Sequence, residues 1–195
     1  MDNTEQGSIA SRYQSLSSTR ETFLERARES SELTLPFLVP PSGHSDATRY
    51  PTPFQGIGAR GVNNLASKLL LALVPPNAPF FRLAINDFVL KDMEQEKPLK
   101  TDVEKALGEV ERAVMSEVEM SADRVQIFEA LKHLIVSGNC LLVVEDDGTR
   151  LFPLERFVIK RDPMGNVLDI ITKESLSPKS LPEDVAELVQ AQIGG

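Results

Sequence analysis

The sequence predicts an α+β fold, mainly helical, with N-terminal helices and an extended proline-rich arm followed by a small antiparallel β-meander and a last helix. Three observations carry this reading. Apolar residues recur at helical spacing through most of the chain up to Ser137. Prolines 36, 40, 41, 51 and 53 crowd the stretch between Thr34 and Phe54, where neither a helix nor a central strand accommodates them. Beyond Gly138 the apolar runs shorten to strand length and are punctuated by Asp147-Gly148 and Asp162-Pro163.

Taken in order, residues 1–10 are small and polar and read as a mobile tail. Arg12 to Glu32 then reads as an amphipathic helix. Tyr13, Leu16, Phe23, Leu24 and Ala27 form an interrupted stripe, and mixed charges sit at helical spacing. The arm over 34–54 carries Leu35, Phe37, Leu38, Val39, Tyr50 and Phe54. These side chains are too apolar for free solvent, so an ordered extended arm is expected rather than a flexible linker. Ile57 to Val74 reads as a buried helix marked by Val62, Leu65, Leu69, Ala72 and Leu73. Leu70, Leu71 and Val74 make its second half apolar nearly all round, so it needs partners on several sides. Pro75-Pro76 stops it.

Phe80 to Ile85 has the composition of a short strand, and Asp87 to Glu96 of one or two helical turns. Thr101 to Met120 is the clearest helix, with Thr101 and Glu104 as a capping box and Val103, Leu107, Val110, Val114 and Val118 as its stripe. A further helix is expected from Asp123, as N-cap, to Ser137, closed by Gly138. Cys140–Glu145, a return strand containing Leu151-Phe152, Phe157–Lys160 and Asn166–Lys173 are the expected strands. Asp146-Asp147-Gly148 and Asp162-Pro163-Met164-Gly165 form turns between them. Ser180-Leu181-Pro182-Glu183-Asp184 opens the last helix, over 182–192.

Composition bounds the function. The chain has 195 residues and a formal net charge of −8, which argues against tight, sequence-independent nucleic-acid binding through many Lys and Arg contacts. A single cysteine, Cys140, allows no intrachain disulfide framework and fits assembly in a reducing compartment. The start has neither the basic nor the apolar region of a secretory signal, and the apolar stretch from Val62 to Val74 is broken by Asn63, Asn64, Ser67 and Lys68, so no membrane association is expected.

Catalytic signals are weak. Gly56-Ile57-Gly58-Ala59-Arg60-Gly61 fits G-x-G-x-x-G, whose glycines in a dinucleotide site let pyrophosphate approach a helix N-terminus. That motif needs a preceding buried strand, and Tyr50-Pro51-Thr52-Pro53-Phe54 supplies two prolines instead. The plainer reading is that glycine lets the helix start pass close to another backbone. His133, His44 and Cys140 lack partners at metal-ligand spacing. His133 reads as a boundary residue and Cys140 as a small apolar one. No catalytic constellation stands above background.

The run from Tyr50 to Leu69, continued by Leu71-Ala72-Leu73-Val74-Pro75, closely resembles the N-terminal region of the portal, or head-to-tail connector, proteins of short-tailed podovirus-type phages. Three further blocks follow in the family's order: Phe128 to Asn139, Arg161 to Leu168, and Leu181 to Val185. The resemblance implies a structural protein rather than an enzyme, with a portal wing-like fold over 11–195 comprising the arm 34–54, a helical part 57–137, the meander 139–174 and the helix 182–192. Stem, clip and crown regions would lie beyond Gly195, so DNA-channel residues are not assigned.

As implied by the resemblance, the subunit forms a homo-oligomeric ring, of twelve copies in the family, at one capsid vertex of the virion. It assembles in the bacterial host cytoplasm. Its partners are the major capsid protein, scaffolding protein, terminase packaging motor and tail adaptor, with double-stranded DNA passing non-specifically through the channel during packaging and ejection. Tyr50, Pro51, Pro53, Gly58, Arg60, Gly61, Asn63, Asn64 and Lys68 are the family-motif residues that are candidates for assembly. No catalytic, cofactor-binding or metal-binding residue is assigned. The alternatives are a nucleotide-binding enzyme using Gly56–Gly61, and a tail adaptor or scaffold interaction module.

Overall fold

A computed structural model describes residues 8–45, 47, 49–76, 78–85, 97–145 and 148–176. Among them are four α-helices: α1 (Ile9–Glu32), α2 (Ile57–Leu73), α3 (Lys97–Met120) and α4 (Asp123–Ser137). Four strands follow: β1 (Cys140–Glu145), β2 (Gly148–Pro153), β3 (Phe157–Arg161) and β4 (Val167–Thr172). The expected α+β character is present, and the antiparallel strands fall into two ladders, β1–β2 and β3–β4. A 3₁₀ turn at Leu154–Arg156 separates them. The expected turns at 87–96 and helix at 182–192, and Asp146-Asp147, lie outside the described residues.

The chain divides into two compact units. The larger, Arg20–Glu155, is built on α4. One side of α4 packs against α2 and another against the β1–β2 hairpin. Ala130, Leu131 and Val136 of α4, Val62 and Ala66 of α2, Leu24 and Ala27 of α1, and Phe152 are buried in this unit. Gly138 closes α4 in the left-handed conformation (φ 73°), its N–H donating to the Leu134 carbonyl at 3.0 Å. Only a residue without a Cβ takes that geometry cheaply.

The arm divides its apolar residues. Leu35, Leu38 and Val39 are buried. Ser31, itself buried on α1, donates its hydroxyl to the Leu35 carbonyl (2.7 Å) and accepts the Val39 N–H (3.1 Å). Arg28 Nε donates to the Pro40 carbonyl (3.3 Å). Further along, Tyr50 stacks on His44 with ring centroids 4.2 Å apart, while Phe54 is 100% exposed.

Three local expectations change. α3 begins at Lys97, so Thr101 lies inside the helix and the Thr101–Glu104 box does not mark its start. Asp123 is the first residue of α4 rather than its N-cap. Its backbone N–H donates to Ser121 Oγ (3.3 Å), and its carboxylate is taken by Thr149 N–H (2.9 Å) and the Ser121 hydroxyl (2.9 Å). Phe80–Ile85 joins no ladder among the described residues; instead the Leu83 N–H donates to the Glu111 carboxylate of α3 at 2.6 Å.

The smaller unit comprises Met1–Thr19 and Arg156–Gly195. Its β3–β4 hairpin is closed by a turn in which the Asp162 carboxylate accepts the N–H groups of Met164 (2.9 Å) and Asn166 (2.8 Å) and Gly165 adopts φ 91°. Phe157 and Val158 are buried. Arg12, on the first part of α1, pairs with Asp169 of β4, and Lys173 lies over the Tyr13 ring.

Candidate functional site

The residues singled out in the Tyr50–Leu69 run separate by helical geometry. One turn of α2 needs 3.6 residues, so positions 57, 60, 61, 64, 65 and 68 share one face. Ile57, Arg60, Gly61, Asn64, Leu65 and Lys68 line a shallow open groove of about 370 Å³ on that face. The opposite face buries Val62 and Ala66. Four candidates, Arg60, Gly61, Asn64 and Lys68, are thereby brought together. Asn63 is exposed outside the groove, its carbonyl accepting the Ser67 hydroxyl at 2.8 Å. Tyr50 and Pro51 are exposed and Pro53 half-buried on the arm.

Gly58 points elsewhere. A Cβ there would lie 2.6 Å from the Leu33 carbonyl oxygen and 3.3 Å from the Thr34 Cα. The α2 start thus crosses the backbone that follows α1 at a separation only glycine allows. Gly56 and Gly61 face open space. The space above Gly58 that a pyrophosphate would use is therefore filled by the chain's own backbone, and residues 50–55 form no strand. Both facts disfavour the nucleotide reading and match the close-approach role for Gly58.

Burial of α2 is less than its composition predicts. Ile57 (67%) and Leu65 (46%) are exposed on the groove face, and Leu71 and Leu73 are exposed further on. The sequence carried this signal as a helix apolar nearly all round. Ile57 and Leu65 are site residues that the motif alone did not single out.

The groups with possible chemistry are placed for structure. His133 is buried, and burial holds its pKa below the ordinary value. Lys132, also buried, pairs with Glu129 at 2.6 Å and lies 4.4 Å from the centre of the Phe128 ring. Cys140 is half-buried, directs its thiol toward the Ala130 carbonyl at 3.7 Å, and has its pKa raised by burial, which disfavours a reactive thiolate. Hydrogen bonds from Thr149 and Ser121 hold the Asp123 carboxyl below its usual value. Among the described residues no group of three or more His, Cys, Asp or Glu is arranged to hold a metal ion. No helix among them is long and apolar enough to cross a membrane.

The outward face of α2 thus combines apolar and cationic side chains left in water. The chain belongs to the bacteriophage head to tail connecting protein family, whose model matches residues 6–193. It is 38% identical over 188 residues to the portal protein of Escherichia phage T7, covering 93% of this chain and 35% of that protein. The portal proteins of Enterobacteria phage T3 (38% over 187 residues) and Enterobacteria phage SP6 (32% over 183 residues) match with the same coverage. The chain thus spans about a third of the length of these curated relatives, 35% in each case.

Proposed function

We propose that this chain is the N-terminal, wing-type part of a portal subunit with a structural, non-enzymatic role. Twelve copies of the whole protein form a ring at one capsid vertex. Genomic DNA is packaged and ejected through that ring. The capsid protein, scaffolding protein and terminase motor engage it during assembly in the host cytoplasm, and the tail adaptor joins it in the virion. Within the segment, the arm 34–54, helical part 57–137, strands 139–174 and helix 182–192 make up the wing, and the α2 residues Arg60, Gly61, Asn64 and Lys68 serve assembly.

The observation that carries the reading is the collinear identity with three portal proteins over 93% of the chain. Two physical facts agree with it. A net charge of −8 suits a passage that must not grip translocating phosphates. Large apolar side chains left in water on α2 suit a subunit that is covered in its assembly. Negative-stain electron microscopy of the complete polypeptide carrying this segment tests the proposal. Rings with a central hole are expected; compact single particles at high concentration refute it.

A further inference from the structure

Resting on that ring reading, we infer that the outward face of α2 in one copy packs against the acidic face of α3 in the next. α2 carries two bases, Arg60 and Lys68, and no carboxylate. Both are exposed beside Ile57 and Leu65. α3 is net acidic where its side chains are described: Asp102, Glu104, Glu109, Glu117 and Glu119 are exposed, against Lys105 and Arg112. None of its described side chains is buried. Val110 (50%) and Val114 (41%) are exposed, flanked by exposed Glu109 and Glu117. Among the described residues none of these four charged groups forms an ion pair.

The spacing matches as well as the sign. Arg60 and Lys68 are eight residues apart, as are Glu109 and Glu117. At 1.5 Å rise per residue each pair spans about 12 Å along its axis, with the same rotation about it. Facing helices incline such rows in opposite senses, so both ion pairs form at once when the axes cross at about −50°, the angle that aligns i±4n rows. With the two helices running oppositely, Leu65 then meets Val110 and Val114 to one side of the ion pairs, and Gly61 and Ala113 leave room for the axes to approach. A like pairing of α2 on α2 opposes cation to cation. The contact joins two different surfaces of one chain, the heterologous type that closes a ring when the rotation allows it.

The test uses the complete polypeptide in two charge-reversed forms, Arg60→Glu/Lys68→Glu and Glu109→Lys/Glu117→Lys, with ring yield read by mass photometry and electron microscopy. Wild type is expected to form rings. Each reversed form alone should lose at least tenfold in ring yield, because its two faces now carry like charge. An equal mixture should regain rings of alternating copies, since every α2–α3 contact is again complementary. Rings that persist in either form alone, or a mixture of folded variants that stays unassembled, overturn the interface and leave the ring reading standing. A wild type that never forms rings overturns both. Should a reversed form fail to fold by circular dichroism, wild-type rings treated with a zero-length carbodiimide decide the matter. Mass spectrometry of mixed isotope-labelled copies is expected to find Lys68 joined to Glu109 or Glu117 between chains, and the absence of both links overturns the proposal.

Discussion

Ser31 Oγ accepts the Val39 N–H at 3.1 Å while its proton goes to the Leu35 carbonyl at 2.7 Å, so one buried hydroxyl on α1 ties down two backbone groups of the arm, beside the arm's own Leu38 N–H to Leu35 carbonyl bond. This contact turns the arm back onto the helix that precedes it.

Ser31→Ala leaves the Val39 N–H buried and unpaired, while the Leu35 carbonyl keeps the Leu38 N–H at 3.0 Å. It is expected to lower unfolding stability by about 1–3 kcal/mol. Urea denaturation with an unchanged midpoint would show that the arm is held by its leucines alone.

Two glycines of one helix should respond oppositely. Gly58→Ala places a methyl against the Leu33 carbonyl, where backbone must move, and is expected to cost about 1–3 kcal/mol. Gly61→Ala meets open space and gains helix propensity, up to about 1 kcal/mol. Paired thermal melts check this, and a Gly58→Ala protein as stable as wild type contradicts the crossing.

Asp123 ties α4 to β2 through Thr149, and its folded carboxyl titrates below the usual range because Thr149 and Ser121 donate to it. Its contribution is present above the unfolded value near 3.9 and fades as pH falls through the lower folded value. Asp123→Ala should cost about 1–2 kcal/mol at pH 7, and the difference from wild type should shrink below pH 4. Melts across pH 3–7 measure it.

His133 works in the opposite sense. Burial lowers its folded pKa, so between neutrality and acid the unfolded chain takes up a proton that the folded chain refuses. Stability should fall as pH drops through about 6.5, the unfolded value. In His133→Leu that part of the decline between pH 7 and 5 should disappear; an identical pH profile in the two proteins rejects the assignment.

Element order was largely legible in the sequence because its signals are local. Pro75-Pro76 ends α2, Gly138 ends α4, and Gly165 sits in the β3–β4 turn, each through a conformational restriction of its own residue. The start of α3 was not, since a Thr-x-x-Glu pattern can lie inside a helix as easily as at its beginning. Ser121, rather than Asp123, receives the first free N–H of α4 because the Asp123 carboxylate is drawn to Thr149, 26 residues away. The crossing of Gly58 over Leu33 and the Arg12–Asp169 pair depend on tertiary placement that no local pattern encodes. On the candidate surface, the α2 face was readable as apolar, whereas its exposure was not. Hydropathy records that a side chain resists water without recording which chain covers it.

Arg12 and Asp169 are 157 positions apart in the chain. A ribosome adding about 5–20 residues per second needs roughly 8–30 s to make the second after the first. The larger unit is one unbroken run, Arg20–Glu155, and all of it is synthesised within that interval. The Arg12–Asp169 pair therefore cannot form until the larger unit's sequence has been made, a constraint set by the position of one arginine near the amino terminus.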